Sequence, residues 1–233
     1  MKILGIIPAR GGSKAIPSKN KKLLHGKPLL GYTIEQALKS KELSDVIFTS
    51  EDKTLIKIAE QFGVRTPFIR PQEFAEDSSS SLSVIQHALK TLKQKGESYD
   101  AICLLQVTTP FRTAEFIDTA IKKFKKSKIE ALVSVLKVPH QYNPHWVFKR
   151  TENDKIKLFS ETENIIGRRQ NLPVCYVRDG SIYLTKTDTI LNKNSLYGDI
   201  LGYIENNSKY HVNIDTMVDW KLAENIAEDL SNR

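Results

Sequence analysis

Residues 3–22 read Ile-Leu-Gly-Ile-Ile-Pro-Ala-Arg-Gly-Gly-Ser-Lys-Ala-Ile-Pro-Ser-Lys-Asn-Lys-Lys, and this stretch decides the fold class. The apolar run 3–7 predicts a short buried β-strand, which ends at Pro8 because proline has no N–H to donate to a sheet ladder. A loop of small residues follows, with five cations and no acid between residues 9 and 22. Backbone N–H groups at glycines approach an anion closely and cations neutralise it, so the loop predicts a phosphate-binding site.

The glycine pair in this loop does not have the spacing of a common nucleotide-binding motif. It lacks the G-x-x-x-x-G-K-[ST] pattern of a P-loop and the G-x-G-x-x-G pattern of a dinucleotide-binding fold. Judged by composition alone, a solvated basic turn explains the loop as well as a phosphate site does.

Length and composition predict one ordinary globular domain. The chain has 233 residues, of which 40% are hydrophobic and 27% charged, so we expect a single domain over residues 1–233. No apolar run approaches the roughly 20 residues that span a bilayer, and the N-terminal strand is unlike a secretory signal, so we expect a cytoplasmic protein. Cys103 and Cys175 are too few for a disulfide framework, and both are expected to be reduced.

The net charge of +8 favours anionic partners. No nucleic-acid motif and no interleaved aromatic residues accompany the positive charge, so we expect neither a nucleic-acid nor a membrane partner. Nucleotides and sugar acids are small anions that would suit the N-terminal loop. The main cluster of cations is expected to be a solvated helix face and consists of Lys122, Lys123, Lys125, Lys126 and Lys128.

Strands and helices alternate along the first 136 residues. The alternation predicts an α/β fold with a doubly wound, mostly parallel sheet of Rossmann-like type and right-handed crossovers. Ligands on such sheets bind beyond the carboxyl ends of the strands. The predicted strands are 3–7, 45–50, 99–106 and 131–136, and the predicted helices are 28–39, 51–62 with Ser50 as its cap, one following the serine run 78–81, and 114–126.

The regular alternation stops after residue 136. Residues 138–172 mix aromatics, proline and histidine without a helical period, which indicates short strands or loop outside the main sheet. Further on we expect strands at 176–185 and 211–214 and a closing helix at 216–230.

Four later segments carry polar residues near the ends of predicted elements. Each also has a purely structural interpretation, since serines before an apolar helix are typical caps, Thr-x-x-Asp is typical of a capping box, and an arginine pair is common on surfaces. The segments are Leu-Leu-Gln-Val-Thr-Thr-Pro-Phe-Arg at 104–112, Arg-Pro at 70–71 with Asp-Ser-Ser-Ser-Ser at 77–81, Arg-Arg-Gln-Asn-Leu-Pro at 168–173, and Asn-Ile-Asp-Thr-Met-Val-Asp at 213–219.

Together with residues 6–20, these segments resemble the acylneuraminate (nonulosonate) cytidylyltransferases, the enzymes that make CMP-sialic acids. The resemblance spans nearly the whole chain in the family's order. It implies the nucleotidyltransferase fold and transfer of CMP from CTP to the anomeric 2-hydroxyl of a nine-carbon 2-keto sugar acid of sialic, legionaminic or pseudaminic type. It also implies a homodimer in which residues 138–172 form an inserted arm that packs against the second subunit.

The resemblance further implies roles for individual residues. Arg10 and Lys19 would stabilise the triphosphate and the charge that develops during transfer, and Asp215 would be the third catalytic residue. The remaining expected contacts are Ala9, Arg10, Gly11, Gly12, Ser13, Lys14, Asn20, Arg70 and Ser81 with the nucleotide, and Gln106, Thr108, Arg169 and Gln170 with the sugar acid.

Two substitutions depart from the family's pattern. The C-terminal motif D-I-D-T-x-x-D has Asn213 in place of its first acid, so Mg²⁺ or Mn²⁺ is expected to depend on Asp215, with Asp219 as a structural residue. Asp179 replaces the asparagine of N-G-A-I-Y, which either alters sugar contacts or is a substitution within a turn.

Two alternatives stay open at this point. A 3-deoxy-octulosonate cytidylyltransferase shares the fold and the chemistry, although its signature is closer to I-P-A-R-x-x-S-x-R-L-P than to residues 7–20 here. A non-catalytic protein that binds a nucleotide or a sugar is the alternative that Asn213 suggests.

Overall fold

The structure is a computed structural model that describes residues 1–160 and 164–232, so residues 161–163, within the predicted arm, and residue 233 lie outside it. In this described part the elements run as β1 (Ile3–Pro8), β2 (Leu23–Leu24), β3 (Lys27–Pro28), α1 (Leu29–Lys39), β4 (Asp45–Thr49), α2 (Lys53–Gln61), α3 (Ser81–Gln94), β5 (Ala101–Leu104), α4 (Ala114–Lys126), β6 (Ala131–Lys137), β7 (Phe148–Arg150), β8 (Ile156–Leu158), β9 (Tyr176–Lys186), α5 (Thr187–Asn192), β10 (Leu201–Glu205) and α6 (Met217–Ser231).

The central sheet has six strands in the order β10-β6-β9-β5-β1-β4. Neighbouring strands are parallel except that β9 runs antiparallel to both β5 and β6. In register, Ile6 of β1 lies beside Ile47 of β4 on one side and Leu104 of β5 on the other. The predicted mostly parallel α/β sheet is confirmed.

Helices cover both faces of this sheet, which explains why β1 is apolar at every position from Ile3 to Ile7 except glycine. Ile3 and Ile7 belong to one core cluster, which takes in residues of α1, α2, α4 and α6. Leu4 and Ile6 belong to the other, which takes in residues of α3 and α5. A strand buried on both faces is what the apolar run predicted.

Two helix starts, those of α4 and α2, show which local signals are sufficient to place a helix. Thr113 caps α4 by accepting a hydrogen bond from the Phe116 N–H, and the helix has its predicted bounds. The predicted cap of α2 was wrong, since Asp52 rather than Ser50 accepts hydrogen bonds from the first turn. Ser50 is buried directly after β4, where its carbonyl accepts the Arg70 N–H, so the helix begins later than expected.

The second half of the chain departs most from the sequence prediction. Residues 211–214 do not form a strand, because Ile214 instead donates its N–H to the Thr108 carbonyl in the loop after β5. The sixth strand of the sheet is β10, which pairs in parallel with β6. Neither β10 nor the six-residue α5 has enough periodic pattern to be detected in sequence.

Between β6 and β9 the chain leaves the central sheet, as the sequence pattern of residues 138–172 predicted. In the described residues of this segment, β7 and β8 form a separate antiparallel pair with Phe148 opposite Leu158. Phe148 and Ile156 expose large parts of their side chains.

Three further expectations concern charge, thiols and membrane segments. The lysines predicted to form a solvated face on α4 and just after it are all exposed. Cys103 and Cys175 are both free, and burial raises the pKa of the Cys103 thiol to about 12. Within residues 1–160 and 164–232, none of the helices has the length and apolarity that crossing a bilayer requires.

We predict that Asp52→Ala lowers the free energy of unfolding by about 1 kcal/mol, because it removes the carboxylate that caps α2. Asp52→Asn is the matched control and should stay close to the unsubstituted protein, since asparagine caps helices equally well. Urea denaturation followed by circular dichroism measures both changes. Equal losses for the two variants would contradict the capping role.

Candidate functional site

The loops that follow β1 and β5 and the segment before α3 line one cleft at the carboxyl edge of the sheet. Its volume is about 340 Å³. The lining includes an apolar portion formed by Phe74, Ala75 and Val84. The residues predicted as functional that line it are Ala9, Arg10, Gly12, Ser13, Lys19, Asn20, Arg70, Ser81, Gln106 and Thr108.

A buried ion pair fixes the loop after β1. Arg70 Nη2 donates to the Glu51 carboxylate at 2.7 Å and to the Ala9 carbonyl at 2.8 Å. The other Glu51 oxygen accepts the Gly11 N–H at 2.7 Å. The side chains of Arg70 and Glu51 are only 3% and 12% exposed. The pair therefore holds the loop from two directions, and sequence analysis assigned no such role to Glu51.

Gly11 serves close packing in this structure. Its N–H is committed to Glu51, and a Cβ at this position would lie 2.7 Å from a carboxylate oxygen of Asp52. Gly12 differs, since it lines the cleft and a Cβ there would meet no atom within 4 Å. Of the two glycines, Gly12 is thus the one that the structure places against the cleft.

Lys19 joins the N-terminal loop to the segment before α6. Its ammonium donates to the Ile214 carbonyl at 2.6 Å and lies 3.6 Å from the Asp215 carboxylate. The next residue, Asn20, is buried and donates its side-chain amide to the Arg10 carbonyl at 2.9 Å. These contacts bring Asp215, which does not itself line the cleft, next to a cation that does.

Asp215 and Asp219 have different surroundings. The Asp215 side chain is 65% exposed, and its second oxygen accepts a hydrogen bond from the Asn213 amide at 2.7 Å. Asp219 forms a capping box with Thr216 at the start of α6, and the Thr216 hydrogen bonds lower the pKa of its carboxyl. The structural role predicted for Asp219 is confirmed.

The metal question depends on this carboxylate set. No group of three or more His, Cys, Asp and Glu side chains within the described residues is arranged to hold a metal ion. Mg²⁺ commonly binds proteins through one or two carboxylates and takes its other ligands from substrate phosphates and water. A single exposed carboxylate such as that of Asp215 is the type of protein ligand that such a cation takes.

A buried arginine fixes the loop after β5 by hydrogen bonds from the protein interior. Arg112 donates to the Ser181 carbonyl and the Thr33 hydroxyl, each at 2.9 Å, and also to the Gln106 carbonyl and the Thr109 hydroxyl. Burial lowers the pKa of Arg112 to about 10. Arg112 therefore positions Gln106 from the protein interior.

Gly180 lies directly against Gln106. Its φ angle of +80° is in the left-handed region, and a Cβ would be 3.2 Å from the Gln106 side-chain oxygen and 3.8 Å from the Asn213 side-chain oxygen. The glycine is required both for its backbone conformation and for this close approach. Three segments that are distant in sequence thus meet at one point.

Asp179 precedes Gly180 in the chain and does not line the cleft. Its buried carboxylate accepts hydrogen bonds from the Ser181 N–H and hydroxyl, from the Asn206 amide at 2.7 Å, and from the Ser134 hydroxyl. Of the two interpretations of the Asn-to-Asp change, the structure supports a substitution inside the turn and its hydrogen-bond network.

A second cavity of about 380 Å³ adjoins the cleft and shares Ser81 and Gln106 with it. Sequence analysis missed most of its lining, because the segment between α5 and β10 carries no recognisable motif. Arg178 of β9 lines this cavity and donates to the Tyr197 hydroxyl. The other new lining residues are Leu82, Leu104, Tyr183, Asn194, Ser195 and Leu196.

Two groups of predicted residues lie elsewhere. Arg169 and Gln170 line neither the cleft nor the second cavity but a separate one of about 500 Å³, formed between the end of β6 and the start of β9. Lys14 does not line the cleft, although its ammonium pairs with Asp77, which does.

Comparisons with known proteins bear on the family and the fold of the chain. A model of the Cytidylyltransferase family matches residues 4–200. The chain is 33% identical to CMP-N,N'-diacetyllegionaminic acid synthase of Legionella pneumophila, over 98% of this chain and 97% of that protein. It is 31% identical to pseudaminic acid cytidylyltransferase of Campylobacter jejuni, over 96% of this chain and 95% of that protein.

Solved structures show the same fold. A CMP:2-keto-3-deoxy-manno-octonic acid synthetase complexed with CTP superposes with a TM-score of 0.73 at 15% identity, covering 98% of this chain and 99% of that one. A 4-diphosphocytidyl-2C-methyl-D-erythritol synthase from Anaerococcus prevotii superposes with a TM-score of 0.68, also at 15% identity, covering 97% and 98%.

We predict that Glu51→Ala destabilises the protein by about 3–5 kcal/mol, because it leaves the buried Arg70 charge without its partner. Glu51→Gln should cost less, since its amide oxygen still accepts a hydrogen bond. Chemical denaturation measures the free energies of unfolding. A loss below about 1 kcal/mol for Glu51→Ala would show that the ion pair does not fix the loop.

Proposed function

Because the chain belongs to the cytidylyltransferase family, we propose that it transfers CMP from CTP to the anomeric 2-hydroxyl of a nine-carbon 2-keto sugar acid. The supporting observation is that two cavities of about 340 and 380 Å³ meet at Ser81 and Gln106. The nucleotide occupies the first cavity, the acceptor occupies the second, and the reacting atoms meet at the shared boundary.

The chemistry of the cleft suits a nucleoside triphosphate. Arg10, Lys19 and the open backbone at Gly12 provide positive charge and N–H groups for the phosphates. The apolar portion at Phe74, Ala75 and Val84 suits the less polar cytidine. Arg70 also belongs to this wall, and its buried Nε has no hydrogen-bond partner within the described residues, so a donor is left for a nucleotide contact.

The reaction forms one bond and breaks one. The 2-hydroxyl oxygen of the sugar acid bonds to the α-phosphorus while the bond from that phosphorus to the bridging oxygen breaks. Pyrophosphate leaves and the hydroxyl proton is released. Positive charge from Arg10 and Lys19 stabilises the negative charge that grows on the transferring and leaving groups, which is the main contribution that a protein makes to such transfers.

A divalent cation, Mg²⁺ or Mn²⁺, is part of the proposal. When bound it neutralises triphosphate charge and acts as a Lewis acid. The Asp215 carboxylate would hold it together with phosphate oxygens, and the Asn213 amide fixes one oxygen of that carboxylate by its hydrogen bond. With Asn213 in place of an acid, the protein would supply a single carboxylate.

The acceptor is proposed to contact Gln106 at the boundary, Thr108 in the adjoining part of the cleft, and the newly found residues of the second cavity. That lining combines leucine and tyrosine side chains with Arg178 and Asn194. A mixed lining suits a sugar acid that carries both apolar N-acyl groups and hydrogen-bonding groups. Relatives named for pseudaminic and for legionaminic acid have similar identity to this chain, so the choice of sugar is left to experiment.

A panel assay tests this proposal. We expect pyrophosphate release when the protein is given CTP, Mg²⁺ and one of sialic, legionaminic or pseudaminic acid, measured by a coupled phosphate assay. Release with 3-deoxy-octulosonate alone would instead identify that related activity. CTP binding without release from any sugar would favour a non-catalytic binding protein.

We predict that Lys19→Ala lowers kcat/KM by about 10²–10³-fold, because it removes a charge that stabilises the transferring phosphate. Lys21→Ala is the matched control, since Lys21 carries the same charge two residues away and does not line the cleft. Steady-state kinetics with CTP and the active sugar measure both variants. Near-normal turnover of Lys19→Ala would contradict the assignment.

We further propose that the chain works as a homodimer through the arm. A two-stranded sheet is marginally stable alone, and the β7–β8 pair exposes Phe148 and Ile156. A second copy covering this surface would bury them. We propose that it would also bring Arg169 and Gln170, which do not line their own chain's cleft, beside the acceptor bound by the second copy.

Sedimentation equilibrium should therefore give a mass of twice the 26.5 kDa of one chain. Phe148→Glu combined with Ile156→Glu should shift the protein toward monomer, since it places charges in the proposed interface. Leu38→Glu is the control, because Leu38 is similarly exposed but lies on α1. A monomeric mass for the unsubstituted protein would contradict the dimer.

A further inference from the structure

Two of the cations predicted to bind phosphate are already paired with a carboxylate of the protein. One oxygen of Asp77 lies 2.7 Å from Arg10 Nη1, and the other oxygen contacts Lys14 Nζ. Asp77 belongs to the turn between Phe74 and α3, which faces the N-terminal loop across the cleft. The carboxylate thus presents its two oxygens to two cations, as a phosphate group would.

This arrangement is unexpected in an anion-binding cleft. A carboxylate at the wall repels an incoming phosphate, and it occupies the groups that would bind that phosphate. The hydrogen bonds from Lys14 and Arg10 lower the pKa of Asp77, so it is ionised at neutral pH. The side chains of Asp77 and Lys14 are 50% and 84% exposed, and exposed ion pairs of this kind exchange readily because each is weak.

Lys19 provides a contrast within the same loop. It is largely buried, and its partners are the Ile214 carbonyl and Asp215 rather than Asp77. Lys19 is therefore held in place whether or not Asp77 is charged. In the part of the chain that the structure describes, Arg10 at the cleft wall and Lys14 just outside it both have Asp77 as their ion-pair partner.

We propose that Asp77 is an intramolecular competitor of the substrate phosphates: it neutralises Arg10 and Lys14 before a substrate binds and gives them up when a di- or triphosphate binds. This inference rests on the proposed function, because it takes the cleft to be the site of the CTP phosphates. After transfer, Asp77 recaptures both cations and so favours departure of pyrophosphate. Asp77 thereby lowers the affinity for product and keeps the cations ordered between turnovers.

Asp77→Asn tests the proposal by direct binding, without turnover. Isothermal titration calorimetry with inorganic pyrophosphate and Mg²⁺ should show about 3- to 10-fold tighter binding than in the unsubstituted protein, since two weak ion pairs no longer have to break. Cytidine, which has no phosphate, should bind both proteins equally.

Glu76→Gln is the matched control. Glu76 is the neighbouring acid and also lines the cleft, but among the described residues no ion pair joins it to Arg10 or Lys14. The Glu76→Gln substitution removes the same unit of negative charge from the cleft without releasing Arg10 or Lys14. A general charge effect would make the two variants equal, whereas the proposed competition makes the gain for Asp77→Asn clearly larger.

A double-mutant cycle with Lys14→Gln adds a second criterion. The gain from Asp77→Asn should shrink in the Lys14→Gln background, because one of the two cations to be released is then absent. Three results would overturn this inference while leaving the proposed function standing. They are equal gains in both backgrounds, equal gains for the two acid variants, and weaker pyrophosphate binding by Asp77→Asn. Failure of the unsubstituted protein to bind pyrophosphate or CTP would overturn the proposed function as well.

Discussion

The buried pair between Arg70 and Glu51 is the interaction on which the site depends. The loop after β1 consists mostly of small and charged residues, with Ala9 and Ile16 buried in the core, so contacts from other segments are needed to fix the rest of it. Arg70 holds the Ala9 carbonyl and Glu51 holds the Gly11 N–H, while each satisfies the other's charge. Because both side chains are largely shielded from water, loss of either would leave an uncompensated charge in the interior.

A second set of contacts lies at the boundary between the cleft and the second cavity. The buried Arg112 fixes the backbone at Gln106, and Gly180 leaves room for the Gln106 side chain where a Cβ would crowd it. The antiparallel strand β9 makes this possible, because it brings Gly180 between β5 and β6. The one exception to parallel order in the sheet is thus the strand that completes the boundary between the two cavities.

The chain has a net charge of +8, but the cations of the site are paired with carboxylates of the same chain. Arg10 and Lys14 are compensated by Asp77, Lys19 lies beside Asp215, and Arg70 is paired with Glu51. These pairs differ in burial, from the shielded Arg70–Glu51 pair to the exposed Lys14–Asp77 pair. The difference separates charges that are held in the interior from charges that are open to solvent, which are the ones proposed to exchange with a substrate.

The sequence by itself determined the α/β fold, the first strand, the bounds of α4, the structural role of Asp219 and the family, because these depend on local periodicity, capping patterns and ordered motifs. Only the tertiary structure decided which polar groups meet. It showed Asp52 as the cap of α2, Glu51 as the anchor of the loop, β10 as the sixth strand, and Arg169 in a cavity away from the cleft. The physical reason is distance along the chain: Lys19 reaches a carbonyl 195 residues away, and no local pattern encodes such a contact.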